Sequence, residues 1–264
     1  MIDSTAAQEK PSFLEFESDV SIAYHKTPGK SPGVIFCGGF MSDMTGTKAM
    51  ALEAYCRARG QAFVRFDYRG HGQSSGRFED GSVGAWSEDA KAVLDRLTDG
   101  PQIVVGSSMG GWIALNLALA RPDRVAAIIG IAPAPDFTED LMWAAFTPDI
   151  RRKLETDGVI HQPSAYSDKP YAITMRLIED GRRHLRLRGT IPFTGPVRIL
   201  HGMQDPDVPW QRSLVLADKL ATTDVQVVLV KDGDHRLSRD QDLALLTRTL
   251  GELVDRVSAG AACA

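Results

Sequence analysis

The sequence predicts an α/β fold: a mostly parallel, doubly wound sheet with an inserted helical lid. Three observations lead there. First, the short runs "GVIFCG", "AFVRFD", "QIVVG", "VAAIIGIA", "VRILHG" and "VQVVLV" are apolar mostly without alternation, as strands buried on both faces of a sheet are. Second, helical patterns fall between them at about 47–59, 83–98, 109–120, 211–220 and 238–257. Strand–helix alternation of this kind winds a parallel sheet through right-handed crossovers. Third, the rhythm stops between 136 and 192, a stretch too long for a simple connection.

In chain order, "SFLEF" and "VSIAYHK" open the fold as two strands ahead of the six buried ones. Ser82 caps the helix at 83–98, and Asp95 and Arg96 fall on its polar side. From 136 to 192 only helical patterns stand out: "DLMWAAFT", "DIRRKLE" and "PYAITMRLIEDGRRHLRL". An insertion there predicts a single domain over 1–264 with a lid at 136–192. The lid would cover the carboxyl edge of the sheet, where open α/β folds bind ligands. The ends, 1–11 and 258–264, are expected to fray.

Composition narrows the function classes. A formal net charge of −4 argues against a nucleic-acid partner, which normally wants a basic surface. No apolar run approaches the roughly 18 residues needed to cross a bilayer, so no stable membrane insertion is expected. Cys37, Cys56 and Cys263 are widely spaced and lack C-x-x-C pairing, which reads as reduced thiols. The start "MIDSTAAQEKPS" has neither a basic n-region nor an apolar core. Together these predict a cytoplasmic protein.

The chemistry concentrates at "VVGSSMGG", residues 104–111. Gly106-Ser107-Ser108-Met109-Gly110 follows a buried strand and opens a helix, the setting of a nucleophile elbow. A serine at such a turn is strained, and side chains two residues before and after would collide with it. Gly106 and Gly110 remove that clash, whereas Ser107 would put Val105 and Met109 at those positions. Ser108 is therefore the candidate nucleophile. Its hydroxyl needs a base, and the base needs an anion, arriving later in the chain as acid and then histidine. "VRILHGMQDPDVPW" offers Asp205 in a loop after one strand, and "VQVVLVKDGDHRLS" offers His235 after the next. Asp207 is the rival acid and Asp234 a weaker one, both placed as turn residues beside Pro206 and Gly233. His201 precedes the acid and is read as completing its strand. The backbone N–H groups of Met109 and of Phe40, in "FCGGFMSDM", are the candidate oxyanion donors. Asp67 and Arg69, in "FDYRGHGQS", read as loop braces.

With "FDYRGHGQS", "GSSMGG", "ARPDRV", "HGMQDPDVP" and the late histidine in this order, the chain resembles an α/β-hydrolase over roughly 12–257. The longer strings "SPGVIFCGGFMSDMTGTKA", "DGPQIVVGSSMGGW" and "HGMQDPDVPW" resemble the branch of that family that hydrolyses palmitoyl-protein thioesters and acyl glucuronides. The resemblance implies a serine hydrolase of acyl thioesters and esters, with Ser108 as nucleophile, Asp205 as acid and His235 as base. The alternatives left open are a general short-chain carboxylesterase and a non-catalytic ligand-binding protein of the same fold. No cofactor or metal is expected, since H-E-x-x-H spacing and a phosphate loop's Lys-Ser/Thr are both missing. The expected partner is a small-molecule or S-acylated peptide substrate. Trp143, Phe146, Tyr171, Met175 and Ile178 are candidates for an acyl channel, the last three falling on one helix face. Packing of the lid onto the core would explain the same stripe. "GRRHLRLR", 181–188, is the one concentrated basic run: solvated surface, or a set (Arg182, Arg183, Arg186) facing an anionic leaving group.

Overall fold

The computed structural model describes residues 10–16, 20–162 and 170–262. The chain opens with β1 (Ser12–Phe16), β2 (Val20–Thr27), β3 (Lys30–Cys37), α1 (Thr47–Arg59) and β4 (Gln61–Phe66). It continues through α2 (Val83–Leu97), β5 (Gln102–Ser107), α3 (Met109–Ala120) and β6 (Val125–Ile131). A separate group follows: α4 (Pro148–Asp157), β7 (Val159–Gln162), β8 (Tyr171–Thr174) and α5 (Met175–Arg183). The sheet resumes with β9 (Val197–Gly202), α6 (Gln211–Lys219), β10 (Val225–Val230) and α7 (Asp240–Ala262).

Eight strands form one sheet in the order β1-β2-β4-β3-β5-β6-β9-β10. β1 and β2 pair antiparallel and join β4 antiparallel; every later pairing is parallel. From β3 to β9 the apolar runs are continuous because both faces are covered, whereas β10, at the edge of the sheet, has no buried residue and departs from the expected burial on both faces. Val34, Phe36, Ile103, Val105, Ala127 and Ile129 point to one face, where α1 and α7 pack over them. Ile35, Cys37, Val104 and Ile128 point to the other, under α2 and α3. Alternate side chains along each strand thus enter opposite cores. α3 is buried along most of its length, including Trp112, so the helix that starts at Ser108 is anchored in the centre of the molecule.

The stretch between β6 and β9 corrects the all-helical expectation. It begins with a π-helical turn, Thr138–Trp143, and contains a two-stranded antiparallel sheet, β7 with β8. Tyr171 therefore lies on a strand, and only Met175 and Ile178 of the predicted stripe share a helix. The boundary is a cap: the Thr174 hydroxyl accepts the Leu177 N–H at 3.1 Å. The insertion closes on its own ends. The fully buried Asp136 carboxylate accepts the N–H groups of Arg186 (2.7 Å) and Leu187 (2.9 Å). Trp112 of α3 donates its indole N–H to the His184 carbonyl at 2.9 Å, tying the insertion to the core. At the other end of the chain, α7 runs on through Ala262 instead of fraying at 258. The expectation for residues 1–9, 263 and 264, Cys263 included, lies outside the described residues.

Candidate active site

β5 delivers the chain to Ser108, whose φ of 53° and ψ of −118° belong to a region side chains rarely adopt. Three backbone hydrogen bonds hold it there. Its N–H donates to Ile131 (2.8 Å), and its carbonyl accepts from Gly111 (2.9 Å) and Ala134 (3.0 Å). The flanking glycines are required, but for a different reason from the one the motif suggests. A Cβ at Gly106 would meet the Gly110 carbonyl oxygen at 2.2 Å, and one at Gly110 would meet the Cys37 carbonyl oxygen at 2.0 Å. The glycines let the turn close on itself and on the end of β3; the serine side chain is not what they avoid.

Loops after β9 and β10 bring the other two residues in. His235 Nε2 lies 3.1 Å from Ser108 Oγ, and His235 Nδ1 lies 2.7 Å from Asp205 Oδ2. An ionised Asp205 accepts the Nδ1–H, leaving Nε2 as the acceptor for the serine hydroxyl. Burial on its own would raise the Asp205 carboxyl, but hydrogen bonds from His201 and His235 outweigh it and hold the group well below the usual carboxylate range. Asp205 Oδ1 also accepts two backbone N–H groups, from Asp207 (2.8 Å) and Val208 (2.9 Å). Of the rival acids, Asp207 is exposed on this turn, and Asp234 accepts the Leu237 N–H at 2.9 Å as a turn residue does. His201 corrects its reading as a mere strand end. It is fully buried, and its Nε2 lies 3.0 Å from Asp205 Oδ2. Its signal in the sequence was its position, four residues before the acid, and nothing in spacing alone says that it turns inward.

Asp205, Asp207 and His235 also bring oxygen and nitrogen atoms within 4.8 Å of one another, the one such group among the described residues. The Asp205 oxygens and both His235 ring nitrogens are already engaged as hydrogen-bond partners.

Gly39 approaches the elbow closely: a Cβ there would sit 3.5 Å from the Ser108 Cβ. The next residue, Phe40, lines the cavity above Ser108, its ring edge-on to Phe78, Phe137 and Tyr171. Met41 follows at φ 53°, and its N–H donates to His71 Nε2 at 3.2 Å. Burial lowers the His71 imidazole to about 4, which keeps it neutral and able to accept. Asp67 accepts the N–H groups of Met44 and Gln73, and Arg69 pairs with the buried Asp89, so both brace loops as expected. Cys37 and Cys56 are buried free thiols, each pushed up to about 12 by desolvation, and take no part in the site.

A cavity of about 770 Å³ opens over Ser108 and His235. Its walls come from the β3–α1 loop and from the insertion, through Leu141, Met142, Phe146, Ile150 and Tyr171. Of the five candidates for an acyl channel, Phe146 and Tyr171 are on its walls. Trp143, Met175 and Ile178 do not line it. They pack in a small core inside the insertion, with Trp143 lying under the Arg182 and Arg151 guanidinium groups. The basic run is likewise absent from the walls. Arg182 pairs with Glu139, Arg186 with Asn116, and Arg188 with Asp140. Arg182 and Arg188 thus hold the insertion together, and Arg186 ties it to α3.

The sheet order, the strained serine after β5 and the histidine after the last strand define an α/β-hydrolase, and the chain belongs to that family. The family profile described as alpha/beta hydrolase fold matches residues 32–158. The chain is 43% identical over 248 residues to the Homo sapiens protein named palmitoyl-protein thioesterase ABHD10, mitochondrial, covering 94% of this chain and 81% of that one. Among solved structures, the mouse alpha/beta hydrolase domain-containing protein 10 superposes with a TM-score of 0.87 at 42% identity, over 94% of this chain and all of that one. A putative hydrolase from Agrobacterium vitis S4 superposes with a TM-score of 0.88 at 42% identity, over 92% of this chain and 97% of that one. These relatives overturn the cytoplasmic expectation, since the mammalian proteins matched over 94% of the chain are named mitochondrial. Free thiols report a reducing environment and not which compartment supplies it. No described helix is long and apolar enough to cross a membrane.

Proposed function

We propose that the protein hydrolyses acyl thioesters and esters through a Ser108–His235–Asp205 triad, with the insertion between β6 and β9 as the lid over the acyl chain. The observation carrying this reading is the unbroken line of contacts from Ser108 Oγ through His235 to the buried Asp205 carboxylate, at 3.1 and 2.7 Å. Thioester cleavage is supported by the relatives named as palmitoyl-protein thioesterases and by the apolar walls the insertion gives the cavity.

His235 Nε2 takes the hydroxyl proton as Ser108 Oγ bonds to the acyl carbon. Negative charge then collects on the former carbonyl oxygen, where the N–H groups of Met109 and Phe40 receive it. Each such donor lowers the barrier by about 3 kcal/mol. The C–S or C–O bond breaks as His235 returns the proton to the leaving thiol or alcohol. Water repeats the sequence on the acyl-serine, releasing the acid. Asp205 keeps His235 in the tautomer that can accept from serine, so Asp205→Asn should lower kcat by about 10⁴-fold. An S-acylated peptide or a small acyl ester fits a cavity of this size.

The test is labelling with a fluorophosphonate, then turnover of p-nitrophenyl esters and acyl thioesters of rising chain length. Labelling should vanish in Ser108→Ala, and turnover should favour chains longer than acetyl. Labelling that survives Ser108→Ala would defeat the triad. A preference for acetyl would replace the thioesterase reading by a short-chain carboxylesterase.

A further inference from the structure

We infer that His201 is a positioning residue for the reaction: a second imidazole that holds the shared oxygen of Asp205 and restrains the basicity of His235. The inference rests on the triad reading above. Asp205 Oδ2 has two imidazole partners, His235 Nδ1 at 2.7 Å and His201 Nε2 at 3.0 Å. His201 Nε2 also lies 3.0 Å from the Val208 carbonyl. A carboxylate and a carbonyl both only accept, so His201 Nε2 must carry the proton and donate to them. In the neutral ring its Nδ1 accepts the hydroxyl of Ser213, 2.6 Å away on α6. Ser213 is itself fully buried, so neither group can turn to water for a substitute.

The consequence is a saturated carboxylate. Oδ1 is fixed by two backbone N–H groups and Oδ2 by two ring N–H groups, so the acid can neither rotate nor direct its whole charge at His235. Removing the His201 donor leaves Asp205 more basic, and it then stabilises the His235 imidazolium more strongly. The Ser213 hydroxyl polarises the His201 ring and makes Nε2–H a better donor, so its loss acts in the same direction and more weakly. The titratable groups around this oxygen are Asp205 itself, His201, His235 and Asp207, with Arg236 following His235 at the cavity wall.

The experiment measures kcat and KM for p-nitrophenyl hexanoate against pH in the full chain, comparing wild type with His201→Phe, His201→Gln and Ser213→Ala. In His201→Phe, the loss of one of the bonds that orient Asp205 should outweigh the added basicity, lowering kcat about 10- to 100-fold with KM nearly unchanged. The acidic limb of kcat/KM should move up by about half a pH unit or more. His201→Gln keeps an N–H donor and should recover most of the kcat and the limb. Ser213→Ala should move the limb the same way by less, together with the downfield His235 Nδ1–H resonance. If His201→Phe does not fold, the Ser213→Ala limb and resonance decide. A purely structural role scales kcat and leaves the limb in place; an unmoved limb in the folded variants overturns the inference. Ser108→Ala separates the two claims. If that variant is dead and the limb stays put, only His201's role falls; if it turns over substrate, the triad reading falls as well.

Discussion

Replacing Ser108 by glycine and by alanine separates the strain at the elbow from its chemistry. Both changes remove Oγ and its 3.1 Å contact with His235, so neither variant should take up a fluorophosphonate. They differ in backbone. Ser108 holds φ 53°, ψ −118°, and an alanine must hold the same angles because the bonds to Ile131, Gly111 and Ala134 involve only main-chain atoms. Such a conformation costs a residue with a Cβ about 1–3 kcal/mol, which glycine escapes. Glycine surrenders about 0.4–1 kcal/mol of this through the greater freedom of its unfolded chain. The difference left is about 1 kcal/mol in favour of Ser108→Gly over Ser108→Ala. For a chain of 264 residues, with an unfolding entropy of about 2.1 cal/mol/K per residue, that raises Tm by about 2 °C. Differential scanning calorimetry and urea titration of the two variants read it directly. Equal stabilities, or a more stable alanine variant, would show that the elbow stores no strain and that its geometry is held for some other reason.

Acid should destabilise the protein partly through His71. Its imidazole falls from about 6.5 to about 4 on folding, so the unfolded chain binds the extra proton between those values. The stability His71 contributes is whole above pH 6.5 and is lost as pH falls towards 4, at up to about 1.4 kcal/mol per pH unit. Urea melts at pH 7 and pH 5 should show a smaller drop for His71→Asn than for wild type; equal drops would remove His71 from the account. At the cavity, Phe146→Trp should cut kcat/KM for long acyl chains about tenfold while sparing acetyl esters, because Phe146 lines the wall. Met175→Ala should cost about 1 kcal/mol in urea melts with KM unchanged, because Met175 packs, half-buried, against the small core of the insertion. A KM effect as large as that of Phe146→Trp would place Met175 in the channel after all.

What could be read in advance follows from which forces are local. The strands β3, β5 and β6 announce themselves because burial on both faces demands unbroken apolar runs, and α1 and α3 end within a residue of their predicted limits because Gly60 and the elbow stop or start them sharply. Asp205 and His235 could be singled out because an acid and a base were each expected after a strand, and the structure lines them up with Ser108 through contacts of 2.7 and 3.1 Å. The insertion was not. β7 and β8 are four residues each and pair only with one another, too short for alternation to register against the helical spacing of Tyr171, Met175 and Ile178. Thr174 was the missed sign, a capping residue in the middle of a supposed helix. Trp143 illustrates the deeper limit. A large aromatic in a lid suits a channel wall and an internal core equally well by composition, and only the two guanidinium groups packed on its ring decide for the core. Those arginines come from α4 and α5, so the choice depends on contacts between elements that no single stretch of sequence contains. The same holds for His201, whose part in the site depends on a hydroxyl delivered by α6. Residues that act through a partner on another element stay hidden until the fold brings the partner to them.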